Sequence, residues 1–513
     1  MTSQKTGLSY WPGLILLGIT LIIGLLTYKD YGIAWDEPTQ RGIGIVSYNY
    51  ITNNDQYLKT YEDRDLGTGF ELPLVFIEKK LNITTSHDLY LMRHIVTHLF
   101  FLLGVFCGYV LVLKLFRNQL VACLGFIMLA FHPRIYAHSF FNTKDIPFLA
   151  AFLIVFLIAH TAFGKNKWWW YGLLGMTCGY ATSIRVMGIL LLPCFLSFFV
   201  FDLIAGIKDK QKPAPLFANP LVFVAGYCLL LNAAWPILWS APVHYFVEQF
   251  QTQAHIFWKG EVLFMGKNVN GAQLPLNYLP VWFSITMPEL WLGAGLVGFG
   301  MLSWHFIKSP LVWLKNNTNR NFLLYLACFI GPVVGVVAIN AVNYDDWRHL
   351  YFIYPSFVLL ALYGINKLLG TRFKKAIWAG LGLQMVMVGV FMAQAHPHHQ
   401  VYFNILVSHK NEYLRQNYDM DYWGCACKQG LQYILANDNA DTIKVCKTTD
   451  PVINAIRWLK PEQQKRVKLC NPDENPTYYI TSFRNHPGDY PYPITFYEIK
   501  VLNSTIMRVY RMW

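Results

Sequence analysis

Long apolar runs alternate with short polar connections along most of the chain. The first, "WPGLILLGITLIIGLLT" from Trp11 to Thr27, contains no charged residue. A helix that crosses a bilayer needs about 20 mostly apolar residues. The pattern predicts eleven spans, near 11–27, 94–113, 119–131, 147–163, 168–183, 186–205, 220–236, 282–306, 321–341, 353–369 and 376–395. The periodicity changes after about residue 396. "TIKVCKT" and "TYYITSF" read as strands, "PVINAIRWLK" as a helix and "ITFYEIKVLNSTIMRVYRM" as a closing hairpin. The expected fold class is an all-α polytopic membrane domain over 1–395, followed by a small C-terminal α/β domain over 396–513. A large first external loop occupies 28–93. Its "QRGIGIVSYNYI" suits a helix lying in the membrane interface.

Composition supports the membrane reading. Hydrophobic residues make up 54% of the 513 and charged residues only 14%, against roughly 25% charged in a soluble globular protein. The net charge of +13 is assigned to loops, not to nucleic-acid binding. One set of connections holds Lys114 and Arg117, Lys165 and Lys167, Lys208, Lys210 and Lys212, Lys308, Lys315 and Arg320, and Lys367, Arg372, Lys374 and Lys375. By the positive-inside rule this face is cytoplasmic, as is the N-terminus. An odd number of spans then puts the tail outside. Six cysteines lie in apolar spans, where they act as small hydrophobes. Cys425, Cys427, Cys446 and Cys470 lie in the tail, where an oxidising exterior would allow disulfides of undefined pairing.

The unusual polar residues collect in the other set of loops. "YGIAWDEPTQRG" places Asp36 and Glu37 beside Trp35, directly after the first span. One reading is a helix N-cap, because Asp followed by Glu-Pro suits a first turn. The other is a general base just above the bilayer. "FHPRIYAHSFFNTKDIPF" brings Asp145 next to Asn142 and Lys144, with His132, Arg134 and His138 upstream. Asp145 either caps the next helix or faces the first carboxylates across the outer mouth. "NYDDWRHLYFIYP" opens a late span with Arg348. Such an arginine either snorkels to headgroups or grips a phosphate with its planar fork. Arg185, in the tight turn "TSIRVMG", is a second candidate clamp. "DRD" (Asp63–Asp65), "DMD" (Asp419–Asp421) and "HPHHQ" (His396–Gln400) are weak metal signals, and Cys425-x-Cys427 is not a C-x-x-C motif. The chain has no P-loop, no G-x-S-x-G and no H-E-x-x-H.

Together "AWDEPTQ", "FNTKDIPF" and "WRHLYFIYP" resemble the motifs of the polyprenyl-phosphate-dependent glycosyltransferases of the GT-C superfold, family 39. That family includes protein O-mannosyltransferases and the aminoarabinose transferases of lipid A. "HPHHQVYFN" followed by "DYWG" resembles a junction and tail found in many bacterial relatives. The resemblance implies a bacterial cytoplasmic (inner) membrane enzyme that uses a polyprenyl-phosphate-linked sugar. It gives Asp36 the role of catalytic base, with Glu37 and Asp145 as supporting carboxylates. Arg348, with Arg185 and His349, would bind the donor phosphate; relatives often have Tyr where His349 stands. Trp35, Asn142, Lys144 and Tyr351 are expected to support the site or its acceptor. No cofactor is required by this reading, although some relatives bind a divalent metal ion, for which Asp36 and Asp145 would be the ligands.

The expected reaction moves a sugar from the lipid carrier to an acceptor hydroxyl of a lipid, glycan or protein on the extracytoplasmic face, with inversion. Trp258 and Tyr278, in the 237–281 loop, are expected to shape the acceptor site. The rival class is a polytopic lipid or sugar transporter or flippase, which calls for ionisable residues near the bilayer midplane. Only Pro288 and Glu289, inside a predicted span, favour it.

Overall fold

A backbone that crosses lipid must satisfy its own hydrogen bonds, so long apolar runs become helices. The computed structural model describes residues 9–208, 213–254, 258, 260–338, 342–446 and 450–512. Eight described helices are long and apolar enough to cross a membrane, or nine if the bent pair Gln119–Ala130 and Pro133–Phe141 counts as one span. Two further predicted spans form 17-residue helices, Trp11–Thr27 and Trp168–Ile184. The expected eleven is reached only with these two included.

Proline sets two departures from the predicted spans. His132 precedes Pro133 and is extended, with φ −66° and ψ 117°, because the proline ring disfavours helical geometry in the residue before it. The chain therefore bends by 59° there and runs into a second short helix that delivers Asn142. The run 282–306 is not one helix either. It divides into Tyr278–Thr286 and Glu289–Lys308, with Pro288 extended between them. The Glu289 carboxylate accepts from Gln384 Nε2 at 2.9 Å and from Ile405 N at 3.0 Å. Its charge is tied down at the start of a helix.

The most enclosed spans are Arg348–Leu368 and Asp145–Lys165, with 89% and 72% of their apolar windows buried. Both begin with a predicted site residue, so the core of the bundle fixes where those side chains start. Trp168–Ile184 packs tightly on Pro213–Ala234. A Cβ at Gly175 or Gly179 would run into the backbone of Phe223 or Tyr227, the close approach that small residues permit in membranes. In the first loop, Glu37, Gln40, Gly44 and Ser47 form the buried face of helix Glu37–Asn53, at helical spacing.

The tail is a mixed sheet with flanking helices. A hairpin precedes it in the chain, β1 (Glu261–Phe264) and β2 (Lys267–Asn270). The sheet holds β3 (Ile443–Cys446), β4 (Val467–Cys470), β5 (Tyr478–Thr481), β6 (Ile494–Val501) and β7 (Ser504–Arg511), in the order β4-β3-β5-β7-β6. The predicted strands, the helix at Asp450–Trp458 and the closing hairpin are all present. Leu502 and Asn503 turn the hairpin with φ of 52° and 57°, as a type I′ turn requires. The β1–β2 hairpin, β4 and helix Cys427–Asn437 escaped the sequence reading. Cys446 and Cys470 lie side by side on parallel strands, yet all ten cysteines are free thiols.

Candidate active site

The turn after the first span explains why two adjacent acids behave differently. Glu37 starts a helix and folds back, so that its Oε1 accepts from Ala34 N at 2.9 Å and meets His94 Nε2 at 3.2 Å. It is buried and secures the turn. Asp36 occupies the N-cap position but makes no side-chain capping bond. Its carboxylate is left 38% exposed and faces Arg348.

Asp145 is held by the turn "NTKD". Asn142 Oδ1 accepts from the backbone N of Asp145 at 2.8 Å, and Asn142 Nδ2 donates to Asp145 Oδ2 at 3.0 Å. Arg185, at the end of Trp168–Ile184, places Nη2 2.7 Å from Asp145 Oδ1. Its Nη1 donates to the His349 carbonyl at 3.4 Å.

Arg348 joins these elements. Its Nη1 lies 3.5 Å from Asp36 Oδ2 and 3.7 Å from Asp145 Oδ2, and its Nη2 lies 3.3 Å from Asp345 Oδ2. The guanidinium sits over the rings of Tyr344 at 5.1 Å and Trp423 at 4.6 Å. Trp258 stacks on Tyr344 at 4.1 Å. The tail domain closes the ring of charges: Arg484 Nη2 binds Asp345 Oδ1 at 2.8 Å, and its guanidinium lies over Trp35 at 4.9 Å. Three carboxylates, from Asp36, Asp145 and Asp345, thus interleave with three guanidiniums, from Arg185, Arg348 and Arg484. The crevice lined by Asp36, Asp145 and Arg348 has a volume of about 10 Å³, room for about one water. A second crevice of about 20 Å³, lined by Asp65, Arg185 and Gln253, adjoins it, and Lys144 lines both. Burial and then Arg185 push the Lys144 ammonium down to about 7, against the pull of Asp145 and Asp36.

A second assembly lies behind the first. Arg134 Nη1 pairs with Asp346 Oδ2 at 2.8 Å, and both side chains are fully buried. Tyr422 and Tyr351 hydroxyls donate to the same oxygen at 2.8 and 3.3 Å. Arg134 Nε donates to the Tyr402 carbonyl at 2.9 Å. Burial holds the Asp346 carboxyl up at about 6 despite Arg134.

Asp36, Asp145 and Arg348 thus share one pocket, which Asn142 and Lys144 also line; Arg185 reaches Asp145 from the adjoining crevice, and Trp35 lies against Arg484. Glu37 lines the pocket with its Oε1 bonded to Ala34 N and His94 and its Oε2 buried without a partner. The His349 ring packs edge-on to Tyr344, and only its carbonyl touches a charged residue of the mouth. Tyr351 belongs to the assembly behind, and Tyr278 packs its ring against Phe264 and Trp282 with its hydroxyl bonded to the Asp346 backbone and close to Asp345. Sequence reasoning passed over Asp345, Asp346, Trp423 and Arg484. Asp345 and Asp346 stood in view beside Arg348, and each adopts positive φ, at 58° and 63°, a region Asp tolerates better than most residues. Nothing near Arg484 in the sequence marks it.

The mouth does not suit a metal ion. Arg348 Nη1 occupies the position between Asp36 and Asp145 that a bridging cation would take. Among the described residues no group of three or more His, Cys, Asp or Glu side chains is placed to hold one. The weaker motifs have other uses. Asp419 accepts from Leu263 N and Asn485 N, both at 2.8 Å, and Asp421 accepts from Ala426 N at 2.8 Å. His396, His398 and His399 each have a separate partner, in Asp30, Gln429 and Tyr31.

Residues 87–239 match the family model described as dolichyl-phosphate-mannose-protein mannosyltransferase. This segment includes the "FNTKDIPF" motif and Arg185. Three solved structures align with most of this chain at low sequence identity. ArnT from Cupriavidus metallidurans in the apo state is 11% identical, with 98% of each chain covered and a TM-score of 0.49. The same protein bound to undecaprenyl phosphate is 12% identical, with the same coverage and a TM-score of 0.47. The Archaeoglobus fulgidus oligosaccharyltransferase tethered to an acceptor peptide is 12% identical, covering 93% of this chain and 69% of its own, with a TM-score of 0.48. No curated protein matches the chain significantly. The family match supports a membrane glycosyltransferase, the class that the three motifs imply.

Proposed function

We propose that the chain transfers a sugar from a polyprenyl-phosphate carrier to an acceptor hydroxyl, with inversion, at the extracytoplasmic face of a bacterial cytoplasmic membrane. The observation that carries this reading is the set of contacts around Arg348. It lies near three carboxylates, Asp345 at 3.3 Å, Asp36 at 3.5 Å and Asp145 at 3.7 Å, and the exposed one, Asp36, makes no capping bond. Loose ion pairs of this kind can be exchanged for others.

The donor phosphate would take the place of the Asp36 carboxylate at Arg348, with Arg185 and Lys144 beside it. A planar fork suits a phosphate as well as a carboxylate. Negative charge grows on the phosphate as the glycosidic bond breaks through an oxocarbenium-like transition state. Cations already fixed by buried partners stabilise that charge without reorganising. Asp36, released from Arg348, would take the proton of an acceptor hydroxyl attacking the opposite face of the sugar. Asp145, held by Asn142 and Arg185, would keep the cations in place. Tyr344, Trp258 and Trp423 would wall the sugar pocket, and Arg484 would carry the tail domain into the acceptor side.

The test is a cell-free transfer assay that offers the purified protein a panel of polyprenyl-phosphate sugars, with and without chelator. The expected result is release of polyprenyl phosphate with one donor class, unchanged by chelator. No release with any donor would overturn the reading.

A further inference from the structure

At the end of the bundle opposite the mouth, a cleft of about 510 Å³ opens between helices Ser86–Phe116, Glu289–Lys308, Pro310–Lys315, Asn317–Ala338 and Tyr354–Leu368. We propose that it binds the phosphate headgroup of an anionic phospholipid.

The ionisable lining residues are Lys308, Lys367, His305 and Tyr363, and no acid lines the cleft. Among the described residues neither lysine has a carboxylate within ion-pair distance. The contrast with a neighbour at the same end is direct. Arg320, lining the adjacent cavity, is bound in a fork by Asp202. That cation has its counter-charge within the protein, whereas Lys308 and Lys367 need theirs from elsewhere. The aromatic groups are placed to orient a headgroup. The Lys308 ammonium lies 4.4 Å from the Trp304 ring, and the Tyr363 hydroxyl meets His305 Nδ1 at 3.3 Å. Trp313, Phe322 and Tyr363 form buried walls.

The surroundings favour a lipid over a soluble anion. Trp304, Ile307, Leu311 and Val312 border the lysines and are 58–71% exposed. Side chains this apolar at the rim of a cationic cleft are covered by acyl chains in a bilayer, and basic pockets between spans are where anionic headgroups bind. Lysines at helix ends that served only to orient the protein would not need to converge on one cavity.

The test is native mass spectrometry of the purified full chain in neutral detergent. The probes are dioleoyl-phosphatidylglycerol, dioleoyl-phosphatidylcholine and inorganic phosphate. We expect one retained phosphatidylglycerol, no comparable phosphatidylcholine adduct and no displacement by millimolar inorganic phosphate. The double change Lys308→Gln with Lys367→Gln, at two exposed positions, should weaken retention roughly thirtyfold. Lys374→Gln with Lys375→Gln removes the same charge from outside the cleft and should leave retention unchanged. Equal retention of phosphatidylcholine, displacement by inorganic phosphate, or equal loss in the Lys374/Lys375 variant would each overturn the proposal. Retention unaffected by the Lys308/Lys367 change would do the same.

Discussion

Two arginine–aspartate assemblies lie one behind the other, and they differ in how firmly each is closed. In the inner one, Arg134 and Asp346 meet at 2.8 Å, fully buried, with two tyrosine hydroxyls on the same aspartate oxygen and a carbonyl on the arginine. In the outer one, Arg348 stands 3.5 Å from an Asp36 that is 38% exposed. A buried charge left without its partner is expensive, so the inner pair is locked. An ion pair at the edge of water gains much less, so the outer pair can be opened by a competing anion. The inner assembly anchors the late span to the tail. The outer assembly is available for chemistry.

The largest effect that would break this comparison is on turnover. Asp36→Asn keeps shape and removes the proposed base, so we expect activity to fall by about 10²–10⁴-fold, with the melting temperature unchanged. A matching loss of folded protein would return Asp36 to a structural role. Arg134→Met should do the reverse. It strands the Asp346 charge and should lower stability by roughly 3–5 kcal/mol, read as loss of folded protein on size exclusion. Arg348→Lys keeps the charge but loses the fork and the stacking on Tyr344 and Trp423. We expect donor turnover to drop by about tenfold to a hundredfold, mostly in kcat/KM. The smallest effect concerns pH. Lys144 is held at about 7, below its ordinary value of 10.5, so it is charged only below about 7. Between these values the unfolded chain binds a proton that the folded chain lacks, so this group's contribution to stability rises with pH across that window. If the charged form holds the phosphate, kcat/KM falls as pH rises through about 7. Lys144→Arg should remove that limb while changing the low-pH rate only a few-fold.

The outer assembly was legible in the sequence because Asp145, Arg185 and Arg348 end or begin long apolar runs and Asp36 lies in the loop that follows the first one. Asp36, Asp145, Arg185 and Arg348 stand where a membrane chain has little reason to hold charge. The inner pair was only half visible. Arg134 and Asp346 were both within quoted motifs, but nothing in one dimension matches an arginine to an aspartate 212 positions away. Arg484 and Trp423 were hidden because the tail's return to the mouth is a matter of packing. The break before Glu289 was masked by the apolar runs that flank the Pro288–Glu289 pair, which kept the stretch looking continuous. The helix-cap reading of the acidic pair was partly apt, for Glu37 secures the turn and Asp36 does not.

The central claim is that a phosphate replaces the Asp36 carboxylate at Arg348. Binding of sugar-free polyprenyl phosphate to three proteins tests it most directly. Asp36→Asn removes a competing anion and should bind at least as tightly as the unmodified protein, although it turns over poorly. Arg348→Gln should bind about a hundredfold more weakly. Loss of binding in Asp36→Asn, or undiminished binding in Arg348→Gln, would contradict the account.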